Sequence, residues 1–362
     1  MATPRRTILI LGGTRFVGFH IARSLLFDGH RVTVLSRGRS PLFPEGAERL
    51  IADRTHPRQL QRAVRGRSFD VVIDMIAFRE EETRGAIDVF GGRVGHYIHI
   101  STASVYAVLR ELPSPIREEH YHGAVKQPDR PSRGYAYGIG KRRCEDALWE
   151  AHAARGLPVT TLRLPIILGE GDPTLRAQSY FLRVLDGEPL VMPDGGQNPM
   201  SLVYQGDLVD FVTGNLLNER VIGQALNLAQ DEIPTVRGFV ESAARLMGRR
   251  PELVDIPTEL LRRIGFRFTA SPFTSKRPFI LSSARAQRLG AFRPTPMQEW
   301  LERTVRYSTA QGPTQVPPEY EHRELELRLI DAWREAAERF VGTARELGPP
   351  ASDRSATADD TA

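Results

Sequence analysis

"TILILGGTRFVGFHIARSLL", Thr7 to Leu26, passes from a continuous apolar run through paired glycines into an amphipathic repeat. A run without polar alternation suits a strand buried on both faces, and Val17–Phe27 carries apolar residues at helical spacing. The same alternation recurs. Strands are expected at Thr7–Leu11, Arg31–Leu35, Asp70–Met75, His96–Ile100 and Val159–Leu162, with a further helical stretch at Arg58–Val64. "GYAYGIGKRRCEDALWEAHAARG" reads as a long helix ending near Gly156. Strands alternating with helices predict an α/β fold, a doubly wound parallel sheet.

After Gly169 the texture becomes loop-rich, as in "GEGDPTLRAQ" and "MPDGGQNPMS". The expected division is a nucleotide-binding domain over 1–170, a smaller C-terminal substrate lobe over 171–346 interleaved with it, and a disordered tail over 347–362. The active site is expected in the cleft between domain and lobe. Glu319–Leu347 is a polar helix whose Leu325, Leu329, Trp333, Ala336 and Phe340 form an apolar stripe, expected to dock on the domain.

The chain of 362 residues is 41% apolar and 26% charged, as in ordinary globular proteins. It has no run of eighteen apolar residues, so no membrane span is expected. "MATPRR" leads straight into the first strand, so a signal peptide is not expected either. The single cysteine, Cys144, precludes an intramolecular disulfide, fits a reducing cytoplasm and is expected to pack rather than react. Net charge is +5, but the basic residues are interleaved with acids, as in "VRGRSFD", so nucleic-acid binding is not expected on charge. Only Lys126, Lys141 and Lys276 of the 49 basic residues are lysines.

The turn carries Gly12, Gly13 and Gly18. In nucleotide-binding folds the first such glycine permits a tight turn and the last lets the helix pack closely on the strand. The helix N-terminus then offers amides to a pyrophosphate. Arg15 stands where such loops usually have a glycine. At the end of the second strand, "VTVLSRGRS" offers Ser36, Arg37 and Arg39 and no carboxylate to receive the ribose hydroxyls of NAD. A guanidinium suits a phosphate. NADP(H) is therefore the favoured cofactor, its 2′-phosphate held by Arg37 with Arg15, and NAD(H) is the alternative. Asp53, in "IADRT", is placed to accept from the adenine amino group.

"YAYGIGKRRCE" sets Tyr137 and Lys141 four apart, on one helix face. A phenol is a poor base at neutral pH, and an adjacent ammonium stabilises its phenolate. Lowering a tyrosine by about three units requires roughly 4 kcal/mol. Upstream, "HYIHISTASVYA" is a buried strand with hydroxyls at its carboxyl end, where open parallel sheets hold their ligands. Thr102 is a candidate to hydrogen-bond a substrate oxygen beside Tyr137. His120, Tyr121 and His122 with Glu118 and Glu119 are read as a solvated loop rather than a metal site, and no metal is expected.

"GGTRFVG", "STASVYA", "YGIGK" and "LRLPIILGEGD", in that order and spacing, resemble the extended short-chain dehydrogenase/reductases, the NAD(P)-dependent epimerase/dehydratase family. The resemblance extends over roughly 7–308 and implies a Rossmann domain and a homodimer. It makes Tyr137 the acid/base, Thr102 its companion, and Lys141 also a ligand of the nicotinamide ribose. The implied cofactor set is Gly12, Thr14, Arg15, Phe16, Val17, Gly18, Ser36, Arg37, Asp53, Ile76, Tyr137, Lys141, Pro165 and Ile167, with Ile166 beside the last two. The implied activity is hydride transfer at a carbinol or carbonyl carbon of a small sugar-like or nucleotide-sugar substrate, as an epimerase or a net reductase.

Two departures narrow this. Sugar 4,6-dehydratases carry an Asp-Glu pair after the catalytic threonine, whereas Ala103 and Ser104 stand here, which disfavours that reaction. Where nucleotide-sugar enzymes often place an arginine to grip the diphosphate, this chain has Met200 and Ser201, leaving Arg267, Lys276 or Arg277 as substitutes. "GGTRFVG" and "ADRT" also resemble the chloroplast stem-loop-binding proteins, and an RNA-binding or regulatory NAD(P)-binding role is the alternative function.

Overall fold

The computed structural model describes residues 4–274, 279–310 and 316–348. Its strands run β1 Thr7–Leu11, β2 Arg31–Ser36, β3 Glu48–Ile51, β4 Val71–Asp74, β5 His96–Thr102 and β6 Val159–Leu164. They continue as β7 Ile166–Leu168, β8 Leu190–Pro193, β9 Leu202–Tyr204, β10 Gln224–Asn227 and β11 Leu253–Ile256. Between them lie helices α1 Phe16–Phe27, α2 Pro57–Ala63, α3 Glu80–Phe90, α4 Ser104–Ala107, α5 Arg133–Arg155 and α6 Arg176–Asp186. The later helices are α7 Gln205–Gly214, α8 Val236–Leu246, α9 Thr258–Arg263, α10 Ala284–Gly290, α11 Met297–Ala310 and α12 Arg323–Glu346.

Seven strands form one parallel sheet in the order β10-β6-β5-β4-β1-β2-β3. All five strands expected from the sequence are in it. β5 and β6 each run two residues past their expected ends, to Thr102 and Leu164. The two strands not foreseen, β3 and β10, are the sheet's edges, and β3 has no buried residue. An edge strand lacks the apolar run that betrays a central one.

The chain divides into two compact units. The first holds Met1–Leu175, Asn198–Val236 and Ser275–Gly312, hence the whole seven-stranded sheet. One apolar cluster (Ile8, Ile10, Ile21, Val34, Ile73, Ile98, Leu162) fills one face and another (Leu9, Leu11, Leu35, Val72, Tyr97, Leu148) the other. Alternate residues of β1 thus feed opposite cores, as the strand's period of two dictates.

The second unit holds Arg176–Gln197, Arg237–Thr274 and Pro313–Ala362, built on the parallel pair β8–β11. The apolar stripe read from the sequence is only partly the inner face of α12: Leu329 and Trp333 pack, with Ile330, against Val191, Val254, Ile256 and Leu261. Leu325 is 64% and Phe340 74% exposed, while Arg323, Glu326 and Ile330 are buried. Polar groups also hold the inner face: Glu326 accepts from Arg183 Nε at 2.8 Å and from the Val191 amide at 3.1 Å, and Arg323 Nε donates to Asp186 at 2.8 Å. Ion-paired residues thus share the inner face with the apolar ones and break the stripe that the sequence suggests. Of the tail expected to be disordered, 347–362, Leu347 is the C-cap of α12 and Gly348 follows it, while 349–362 lie outside the described residues.

Candidate active site

Strand order reverses between β1 and β4, and open α/β sheets bind ligands at the carboxyl ends beside that point. The glycine turn sits there. Gly12 has φ +94°, and a Cβ on it would lie 2.6 Å from Ile76 Cγ2, just beyond β4. A Cβ on Gly18 would come within 2.8 Å of the Gly12 carbonyl oxygen. Both positions need glycine, one for conformation and one for close approach. Arg15 is the extended, exposed N-cap residue of α1 and makes no side-chain cap bond. Phe16 follows with φ 42°, so the chain is bent sharply into the helix. Uncapped first-turn amides with no acidic neighbour in that turn are the donor set an anion requires.

Ser36, the last residue of β2, is half-buried and its Oγ accepts from the Gly38 amide at 3.3 Å, while Arg37 and Arg39 beyond it are exposed. Asp53 Oδ1 accepts from the Thr55 hydroxyl at 2.8 Å and its amide at 3.0 Å, which holds that carboxyl below its usual range. The Arg37 charge adds to the same effect, placing Arg37 near Asp53. Thr14, Val17 and Ile76 line the same turn region, and Pro165, Ile166 and Ile167 continue half-buried from β6 into β7.

The candidate chemical group is assembled by β5 and α5. Ser132 caps α5, its Oγ accepting from the Tyr135 amide at 3.1 Å, and Gly156 in the left-handed conformation ends it. Thr102, at the end of β5, lies beside the phenol of Tyr137 and tends to lower its pKa. The Thr102 Oγ1 accepts from the Ser104 amide at 3.2 Å, which fixes the rotamer. Tyr137 is 41% exposed, with the ring of Phe78 at 6.3 Å.

Lys141, one turn on from Tyr137, is held by backbone and imidazole acceptors. Its Nζ is buried and donates to Ala77 O at 2.8 Å and Ile100 O at 2.7 Å, and lies 3.2 Å from His99 Nε2. Three acceptors match its three N–H bonds. Burial pushes the ammonium down and the Tyr137 phenol up, and Thr102 only partly offsets the latter. Lys141 is not among the groups that shift the phenol. The lysine ammonium is directed instead at Ala77 O, Ile100 O and His99 Nε2.

His99 was not foreseen as part of this group. It is wholly buried, and burial followed by the Lys141 charge lowers it to about 3, so the imidazole is neutral and its Nε2 accepts. Its signal was a histidine inside an otherwise apolar strand. Beneath lie two buried ion pairs, Arg54 Nη1–Asp74 Oδ1 at 2.5 Å and Arg163 Nη2–Glu145 Oε2 at 2.7 Å. Burial alone would raise Asp74, but Arg54 outweighs it and holds the carboxyl at about 2.

The segment with His120 and His122 is a short helical turn rather than a solvated loop. Tyr121 and Glu118 are buried, and Glu118 Oε1 accepts from the Asn227 amide at 2.9 Å. His120 Nδ1 accepts from the Arg117 amide at 3.0 Å. Among the described residues no cluster of three His, Cys, Asp or Glu side chains could hold a metal ion. Cys144 is buried and unpaired. Met200 is buried, Arg267 is exposed in the second unit, and Lys276 and Arg277 lie outside the described residues.

The strand order and the glycine turn define a dinucleotide-binding α/β protein. The model of the NAD dependent epimerase/dehydratase family matches residues 8–90 and 83–229, more than half of the chain, which therefore belongs to that enzyme family. Among curated proteins it is 26% identical over 268 residues to the Arabidopsis thaliana chloroplast stem-loop binding protein of 41 kDa b, spanning 70% of this chain and about two thirds (66%) of that protein. It is 28% identical over 257 residues to the 2'-dehydrokanamycin reductase of Streptomyces kanamyceticus, spanning 70% of each. Among solved structures, UDP-glucose 4-epimerase from Thermotoga maritima superposes with a TM-score of 0.68 at 19% identity, covering 83% of this chain and 97% of that one. No helix among the described residues is long and apolar enough to cross a membrane.

Proposed function

We propose that the protein transfers a hydride at a carbinol or carbonyl carbon of a sugar-like substrate, with Tyr137 as the acid/base. The placement of Thr102 at the carboxyl end of β5 and of Tyr137 with Lys141 on α5, at the end of the sheet that also carries the glycine turn, supports this reading. Bound nicotinamide would supply the hydride acceptor or donor. Tyr137 then takes the hydroxyl proton as the carbonyl forms, or returns it in reduction. Thr102 orients the oxygen. Lys141 must turn at least one N–H from its present acceptors to reach a ribose hydroxyl or the phenolate. Arg37 with Arg15 would hold the 2′-phosphate of NADP(H), next to the Asp53 carboxyl that takes the adenine amine. Ala103 and Ser104 offer no acid–base pair for water elimination, so reduction or epimerisation is preferred to dehydration. A homodimer is the proposed assembly, by analogy with the family.

The test is to denature freshly purified protein, identify any released nucleotide by mass spectrometry, and titrate the stripped protein with NADPH and NADH. Preference for NADPH supports a reductase that exchanges cofactor each turnover. Retained NAD⁺ supports an epimerase that recycles its hydride and removes Arg15 and Arg37 from the 2′-phosphate. Failure to bind either, with a salt-sensitive shift of RNA, would favour the role named for the chloroplast relative.

A further inference from the structure

Five arginines, four of them close together in the sequence between Arg58 and Arg67, meet at one place. A concavity of about 710 Å³ is lined by Arg58 and Arg62 of α2, Arg65 and Arg67 of the following turn, and Arg93 after α3. All five arginines are exposed, and Asp88 is the only acidic residue in the lining. Ordinary structural duties account for two of them. Arg67 pairs with Glu48 at 2.7 Å, and Arg62 sits in the last turn of α2, where a cation suits the helix dipole. Arg58 sits in the first turn of the same helix, where the dipole disfavours it. Arg58, Arg65 and Arg93 form no ion pair among the described residues.

Such an arrangement is self-repelling unless an anion shares it. The site is separate from the nucleotide turn. Arg65–Phe69 leads into the amino end of β4 and Arg93 into that of β5, whereas Gly12 and Thr102 lie at the carboxyl ends of their strands. We propose that this concavity binds a small polyphosphate, an anion with at least two phosphate groups close together. Its volume falls in the range of small-molecule sites. Forked guanidiniums from three segments match several phosphate oxygens at once. The aromatic rings at the wall, Phe69 and Phe90, are buried, so there is no exposed stacking platform of the kind single-stranded nucleic acid requires.

The experiment is calorimetric titration of the full chain with inorganic tripolyphosphate and with inorganic phosphate, at low and raised salt. Each titration is run with and without NADPH, so that anion binding at the glycine turn and any competition by NADPH at the arginines are both read. Wild-type protein should bind tripolyphosphate at least tenfold more tightly than phosphate, and more weakly as salt rises. The variant Arg58→Glu/Arg65→Glu/Arg93→Glu should lose that binding at least tenfold while keeping its circular dichroism spectrum and NADPH affinity. Should it misfold, Arg58→Gln/Arg65→Gln/Arg93→Gln serves with the same expectation. Equal affinity in wild type and variant, or no wild-type binding at millimolar anion, would overturn the site. A labelled RNA that binds far more tightly than tripolyphosphate and depends on the same arginines would overturn the small-anion assignment.

Discussion

At the scale of single residues, the site rests on Tyr137 and on which anion the glycine turn accepts. Tyr137→Phe removes the proton carrier and leaves the ring, so kcat should fall by about 10²–10⁴ while cofactor affinity is retained. Steady-state kinetics beside a cofactor titration checks both. Unchanged turnover would exclude Tyr137 as acid/base. Arg37→Asp replaces a phosphate donor with a repelling charge, and a charge-assisted bond contributes about 1.5–3 kcal/mol, so NADPH should weaken roughly ten- to hundredfold and NADH little. Equal weakening of both would place Arg37 elsewhere. The Tyr137–Lys141 spacing was legible because i,i+4 geometry is fixed by the helix. The destination of the lysine was not, because two of its acceptors are the backbone oxygens of Ala77 and Ile100, and backbone atoms leave no mark in a sequence.

At the scale of elements, β5 and α5 carry both the chemistry and its dependence on pH. His96 and His99 both lie on β5, and burial lowers them to about 4 and about 3. Each is neutral in the folded chain and binds a proton on unfolding below pH ~6.5, so stability is lost as pH falls through that value towards 4. Each imidazole should contribute up to about 1.4 kcal/mol per pH unit across that window. Asp74, held at about 2, adds its loss only below the ordinary aspartate range. Urea unfolding at stepped pH should therefore show a slope that His96→Gln or His99→Gln each reduces. An unaltered slope would mean that neither histidine is excluded from water as described. On α5, a Cβ at position 138 would come within 2.6 Å of the Ser104 carbonyl oxygen and 2.8 Å of Val108 Cγ1. Gly138→Ala should thus cost about 1–3 kcal/mol and shift Tyr137 from Thr102, lowering kcat more than cofactor affinity. A variant with wild-type kcat would show that α5 accommodates the methyl group. Central strands were readable from their apolar runs and the inner face of α12 in part, through Leu329 and Trp333, whereas β3, β10 and the ion-paired positions of α12 were not, since edges and ion-paired faces carry polar residues.

At the scale of the whole molecule, the first unit encloses charge in its interior rather than hydrocarbon alone. Arg163 lies on β6 and Glu145 on α5, both nearly inaccessible. Glu145 also accepts from Ser101 of β5, and Arg163 donates to the Tyr106 hydroxyl at 2.8 Å and to Glu118 O at 3.1 Å. Tyr106 in turn donates to Asn227 of β10 at 2.8 Å, so one network crosses from the centre of the sheet to its edge. Removing one member strands the others. Arg163→Ala should destabilise the protein by about 3–5 kcal/mol, because Glu145 is then a buried charge without its partner. The joint replacement Arg163→Met/Glu145→Leu removes both charges and keeps the volume, and should recover most of that loss. Thermal unfolding of the three proteins side by side reads this directly. If the double replacement were as unstable as the single one, the network's value would lie in its neutral hydrogen bonds to Ser101, Tyr106 and Glu118 rather than in the ion pair.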